Sequence, residues 1–227
     1  MGSKARIAKD ILPFILKNRK ENQWYVEPFV GGANCIDKVT GNRLGADNNK
    51  YVIALLQSIQ EDWNPPPILT EIDYYSIKAQ PDKYPEALVG FAAICCSYGG
   101  KWWGGYARSQ GHYGQNRNHA LEALSALKAQ REDLKGIIFK HSSYLDLRIP
   151  DKSIIYCDPP YRDSTKYATN FDYNLFYSWC KNQKEKGHEI FISEYNMPNE
   201  FTCVWEKSIK ANIRGKNNDK IERLFIL

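Results

Sequence analysis

Short apolar runs alternate with helical stretches along this chain, and that alternation constrains the fold more than any other feature. Trp24-Tyr25-Val26, Arg43-Leu44-Gly45-Ala46, Ile137-Ile138-Phe139-Lys140-His141, Ser153-Ile154-Ile155-Tyr156-Cys157 and Glu189-Ile190-Phe191-Ile192-Ser193 all have the length of strands. A strand buried on both faces reads as a nearly continuous apolar run. Helical patterns stand among them. Ile7, Ile11, Phe14 and Ile15 share one face after Ser3, and Val52, Leu55, Leu56 and Ile59 share another. Residues 84–96, 120–134 and 173–186 also read as helical. Strands alternating with helices imply an α/β fold with a largely parallel sheet covered on both faces. The last two strands, 203–209 and 221–227, have no helix between them and 210–220 as their connection. An antiparallel strand is therefore expected at the sheet edge.

Asp62-Trp63-Asn64-Pro65-Pro66-Pro67 breaks the pattern sharply. A chain of 227 residues suits one large domain or one domain with an inserted subdomain. The expected division is 1–64 with 135–227 as the main domain and 65–134 as a small helical insertion. The insertion carries the main charge signal. The whole chain has 31 basic and 26 acidic residues, a net +5, which alone is a weak pointer to a polyanionic partner. From Ala87 to Leu121, however, there is no carboxylate. Lys101, Arg108 and Arg117 lie there among Tyr98, Trp102, Trp103, Tyr106 and Tyr113, a mixture suited to phosphate contact and base stacking. A glycine-rich loop without a ligand explains the same residues.

Other classes fit poorly. No run approaches the roughly 20 apolar residues of a membrane span. Ile11 to Leu16 is too short for one and lacks the cleavage site of a signal peptide, so the cytosol is the expected compartment. The six cysteines form no C-x-x-C pair and the four histidines stand apart from them. Buried, reduced thiols are expected, with no zinc site and no other metal.

Three strand ends hold the candidate chemistry, because ligands of open α/β sheets sit beyond the carboxyl ends of the strands. Phe29-Val30-Gly31-Gly32-Ala33 lets a backbone approach a ligand closely, with a helix N-terminus expected behind it. It is not the G-x-G-x-x-G fingerprint, and a plain tight turn accounts for it equally. Asp47 can accept hydrogen bonds from two ribose hydroxyls, or can cap the helix that follows. Asp158-Pro159-Pro160-Tyr161 is the most specific. Two prolines fix φ and remove two N–H groups, so the Pro159 carbonyl can be held toward a cleft. A carboxylate and a carbonyl beside an aromatic plate match the exocyclic amine of a stacked base. A proline turn ending a strand is the plainer alternative.

In this order, these elements resemble the DNA adenine-N6 methyltransferases that use S-adenosylmethionine. Gly2-Ser3-Lys4 resembles the family's N-terminal Gly-Gly-Lys element, and Glu27 to Gly32 its F-x-G-G cofactor element. Asp158 to Tyr161 is its D-P-P-Y element, and Lys220 to Ile226 resembles its last hairpin. Two departures stand out: no segment precedes Gly2-Ser3-Lys4, and the insertion is short for a target-recognition domain.

The resemblance implies a Rossmann-like class I methyltransferase sheet and a duplex DNA partner. It implies that a flipped adenine stacks on Tyr161 while Asp158 and the Pro159 carbonyl accept its amine hydrogens, with Pro160 completing the turn. Phe29, Gly31 and Gly32 would border the cofactor's methionine part and Asp47 its ribose. Lys4 would pair with its carboxylate, Ser143 and Tyr144 would frame its adenine, and Asp158 would adjoin it. Lys101, Trp102, Trp103, Tyr106, Arg108, Arg117 and, on the hairpin, Lys216 would meet DNA, with Lys207, Lys210, Arg214 and Lys220 adding backbone contacts. The rival readings are a cytosine-N4 methyltransferase, a non-catalytic DNA-binding relative, and an RNA or protein-amine methyltransferase. A nicotinamide dehydrogenase fits least, given the broken glycine fingerprint.

Overall fold

A computed structural model describes residues 4–109, 116–162, 171–213 and 216–227, with the side chains of 210–220 left aside. Gly2, Ser3, Tyr113 and Arg214, and the side chains of Lys210, Lys216 and Lys220, thus lie outside the described residues.

In chain order the elements are α1 (Ala8–Ile15), β1 (Tyr25–Glu27), β2 (Arg43–Asp47), α2 (Lys50–Gln60), α3 (Glu71–Ala79), α4 (Glu86–Gly90), α5 (His119–Leu134), β3 (Ile137–His141), β4 (Ile154–Cys157), α6 (Tyr173–Glu185), β5 (Glu189–Glu194), β6 (Thr202–Ile213) and β7 (Lys216–Ile226). The strands make one seven-stranded sheet in the order β3-β2-β1-β4-β5-β7-β6. It is parallel from β3 to β5, and β7 runs against its neighbours on both sides. The antiparallel strand therefore lies one place inside the edge.

Strand alternation builds two cores. Tyr25, Ile154 and Tyr156 point to one face, where they meet α1 and α2. Val26, Ile155 and Cys157 point to the other, where α6 covers them with Phe176 and Trp179. The segment 65–134 joins the first core: Tyr74, Ile77, Val89, Phe91, Ala120 and Leu134 belong to the same buried cluster as Ile11 and Ile15. The break at Pro65 is one of chain path and not of packing.

Several local expectations change. Phe14 is 43% exposed, because the buried face of α1 is Ile11, Leu12 and Ile15. The loop after Gly31-Gly32 enters a single 3-10 turn, Ile36–Lys38, in place of an α-helix. α3 stands where no element was expected. A capping box starts it, in which Thr70 and Asp73 each bond the other's backbone N–H. The helix 84–96 is α4 continued by a π-helical turn, Phe91–Cys95. Within the expected connection 210–220, residues 210–213 and 216–220 are paired backbone, since the β6–β7 register continues to Ile213 opposite Lys216. β5 pairs β7 only from Arg223 to Ile226, so the rest is a two-stranded ribbon running past the sheet. Of the cysteines, which are all free, Cys203 is exposed. No helix among the described residues is long and apolar enough to cross a membrane.

Candidate active site at the strand crossover

β1 and β4 lie side by side. From β1 the chain proceeds outward to β2, and from β4 to β5 on the other side. The strand order reverses between them, which opens a crevice beyond their carboxyl ends. Acids collect along that rim. β1 ends on Glu27, β2 on Asp47 and β5 on Glu194, and β4 runs directly into Asp158.

Asp47 is held in place by backbone. Its Oδ2 accepts the Gly31 N–H at 3.1 Å and its Oδ1 the Asn49 N–H at 2.9 Å. Gly31 has φ +48°, a left-handed conformation natural to glycine, and this lets its N–H meet Asp47. Asp47 is not the cap of α2. Asn49 is, through its side chain on the Tyr51 N–H. Each Asp47 oxygen keeps a lone pair for another donor. Burial pushes this carboxyl above its ordinary range, and the two N–H groups oppose that.

Beside Asp47 lies a cavity of about 280 Å³, near the lower end of the ~300–1,000 Å³ usual for small-molecule sites. Phe29, Asn48, Ser143, Tyr144, Pro160 and Phe171 are among the residues lining it. The Phe29 and Tyr144 rings stand 5.2 Å apart and tilted by 34°, and both contact Phe171. Flat apolar walls next to an anchored carboxylate suit an adenosine group. Gly32 is exposed at the rim, its carbonyl accepting from Gln130.

The turn after β4 carries the second half. The Pro160 carbonyl accepts the Tyr173 hydroxyl at 2.9 Å, whereas among the described residues no donor reaches the Pro159 carbonyl. Lys4 lies against this turn. Its ammonium is 3.3 Å from Asp158 Oδ1 and 2.9 Å from Glu222 Oε2, donates to the Tyr161 hydroxyl and sits 4.5 Å from the Tyr161 ring centre. The Tyr161 hydroxyl in turn donates to Glu222 Oε2 at 2.8 Å, and its ring meets Tyr195 edge-on at 4.5 Å. Burial pushes the Asp158 carboxyl up; Lys4 opposes this and the Glu222 charge adds to it. Burial disfavours the Lys4 ammonium, and the Asp158 and Glu222 charges more than offset that.

So Phe29, Ser143, Tyr144 and Pro160 come together at the cavity, with Gly31 and Asp47 beside it. Lys4, Asp158 and Tyr161 form a second cluster in which Lys4 is engaged with the D-P-P-Y carboxylate. Sequence reasoning gave no role to Glu222, Glu194 or Tyr173. Glu194 accepts the Arg162 N–H at 2.7 Å and so fixes the chain just past Tyr161. A carboxylate closing an apolar strand was the available signal for it.

The basic segment is more structural than its composition suggests. Trp103 stands edge-on to Tyr74 at 5.2 Å, and its backbone N–H donates to the Ala93 carbonyl. The Tyr106 hydroxyl bonds the Leu69 carbonyl, and Trp102 stacks on Tyr51. Arg108 pairs with Glu71 and Arg117 with Glu122. Both acids come from outside the carboxylate-free stretch. Exposed pairs of this kind contribute little, so an anion such as phosphate can displace either glutamate. Lys101 is exposed, and Lys207 pairs with Asp10 at 2.7 Å.

The sequence model of the D12 class N6 adenine-specific DNA methyltransferases matches residues 1–212. The chain belongs to this family. Among curated proteins none matches the sequence. Two solved structures are among those to which it is similar. One is the Haemophilus influenzae protein HI0767, a proposed methylase, with 12% identity over 98% of this chain and 97% of that one and a TM-score of 0.41. The other is SMU.472, a proposed methyltransferase complexed with SAH, with 12% identity over 99% of this chain and a TM-score of 0.38. This chain spans 52% of that protein. Among the described residues of this methyltransferase, no group of three or more His, Cys, Asp or Glu is placed to hold a metal ion.

Proposed function

We propose that this methyltransferase moves a methyl group from S-adenosylmethionine to the N6 amine of an adenine turned out of double-stranded DNA. The observation that carries the reading is the ion-paired Asp158 carboxylate in the D-P-P-Y turn, whose Tyr161 lies against the same Lys4 and whose Pro160 lines the cavity. A base inside a duplex cannot reach such a cleft, so it has to leave the stack. Tyr161 stacks on the base. Asp158 and the Pro159 carbonyl each accept one amine hydrogen, which favours a more tetrahedral nitrogen and frees its lone pair from the ring. Asp47, Phe29, Gly31, Gly32, Ser143 and Tyr144 hold the cofactor, with Asp158 adjoining it. Bound S-adenosylmethionine supplies a methyl carbon on a sulfonium, whose sulfur keeps the bonding pair as the N6–carbon bond forms. Asp158 orients the amine first and takes up the surplus proton afterwards. Holding the partners in line supplies up to about 7–11 kcal/mol in favourable cases.

The test is transfer of labelled methyl groups to unmethylated duplex DNA, followed by nucleoside mass analysis. N6-methyladenine is expected. N4-methylcytosine would move the specificity to the other base, and no transfer to DNA would overturn the proposal.

Residues 65–134 serve as the recognition segment, set against the catalytic portion 1–64 and 135–227. Lys101, Arg108 and Arg117 face phosphate there, Trp102 borders the gap left by the base, and Lys216 extends the surface along the hairpin. Three phosphate contacts give a log–log salt slope of about −2.7, a roughly fortyfold loss of DNA affinity between about 50 and 200 mM salt. Affinity that stays flat over that range, measured by fluorescence anisotropy, rules this surface out.

A further inference from the structure

Glu222 comes from the far end of the chain and contacts two groups of the reacting centre. In β7 it is the residue next to Arg223, which pairs with the last residue of β5, so Glu222 lies just past the end of β5. Its Oε2 is 2.9 Å from the Lys4 ammonium and 2.8 Å from the Tyr161 hydroxyl. Lys4 is closer to Glu222 than to Asp158, at 2.9 against 3.3 Å.

We infer that Glu222 is a positioning residue for methyl transfer, drawing the Lys4 ammonium away from Asp158 and fixing the Tyr161 hydroxyl. The inference rests on the reaction proposed above. With no second acid, Lys4 would close on Asp158, and the carboxylate would be held by the ammonium when the adenine amine arrives. With Glu222 present, two carboxylates share one ammonium and the cluster keeps one negative charge. N6 gains positive charge as it takes the methyl group, and a preset negative charge in a partly buried site stabilises that change. The bond to Tyr161 also sets the ring against which the base stacks.

The test compares Glu222→Gln and Glu222→Asp with wild type at saturating DNA. Gln keeps the shape and an acceptor for Tyr161 but loses the charge. Its kcat is expected to fall about ten- to a hundredfold, the scale of a charge-assisted hydrogen bond. KM for S-adenosylmethionine should stay within about twofold, since Glu222 does not line the cofactor cavity.

The acid limb of the pH–rate profile should move to lower pH. Asp158 works ionised, and the Glu222 charge holds its carboxyl up, so removing that charge lets Asp158 ionise at lower pH. Of the other groups facing Asp158, Lys4 moves closer and lowers the carboxyl in the same direction, while Tyr161, Tyr156, Cys157, Cys35 and Glu27 stay in place. Asp restores the charge, so it should recover most of kcat and the wild-type limb. If the Gln variant does not fold, the Asp variant alone decides, because a displaced acid limb there contradicts the inference. Glu222→Gln turnover within twofold of wild type, or a loss with the acid limb unmoved, overturns it. A wild-type chain that transfers no methyl group overturns the proposed reaction itself.

Discussion

Asp158→Ala leaves a folded protein whose methyl transfer falls by roughly a thousandfold, the scale on which one preorganised group at a reacting centre acts. In the proposed reaction the loss is large because the variant removes one of only two acceptors for the amine. The Pro159 carbonyl alone cannot hold both hydrogens, so the nitrogen lone pair stays in the ring. The fold survives because Lys4 keeps Glu222 at 2.9 Å, and no buried ammonium is left alone. The Asp158 carboxyl is also pushed up by burial, so its removal relieves a desolvation penalty along with the contacts it ends. A stability change under about 1 kcal/mol follows, or a Tm within about 2–4 °C for a domain of this size. Single-turnover methyl transfer alongside a circular-dichroism melt checks both halves. Near-wild-type turnover would remove Asp158 from the chemistry, and an unfolded variant would assign it to the scaffold.

The second large effect is on stability. Gly90→Ala is expected to lower Tm by about 4–12 °C, for a net loss of about 2–3 kcal/mol. Gly90 ends α4 where that helix crosses α2. A Cβ there would stand 2.2 Å from the Tyr51 carbonyl oxygen and 3.2 Å from the Leu55 Cβ. The first of these is backbone and cannot swing aside. Alanine gains about 1 kcal/mol of helix propensity, which the forced separation of two packed helices exceeds. The damage reaches the segment 65–134, because Tyr51 also carries the stacked Trp102 ring. A Tm at or above that of wild type would contradict so close an approach of α4 to α2.

The parallel strands were legible because burial on both faces leaves only apolar residues to write them, as in Ile154 to Cys157. The same logic exposed Asp47 and Asp158, each polar at the end of an apolar run. Polar strands gave no such mark. Residues 210–213 and 216–220 read as part of a connection because their pairing rests on backbone groups, which every residue carries. α3 has little amphipathic pattern, and its signal was the capping pair Thr70 and Asp73. The aromatic residues of the insertion show the limit of composition. Trp103 and Tyr106 stand among basic residues in sequence but surround Tyr74 in space. The role of Glu222 depends on the packing of β7 beside β5, which no local spacing in the sequence expresses.

The bond from Lys4 to Glu222 joins residues 218 positions apart. Closing a loop of that length carries roughly 5 kcal/mol of chain entropy in its length-dependent part alone. Contacts so distant in sequence form late, after neighbouring strands and helices have shortened the effective loop. Ile7 and Leu224, close in sequence to Lys4 and Glu222, belong to the first core, so the reacting centre closes only as that core is completed. During refolding, secondary structure would return ahead of methyl transfer, and the delay between the two would time the docking of the first turn of the chain against its last strand.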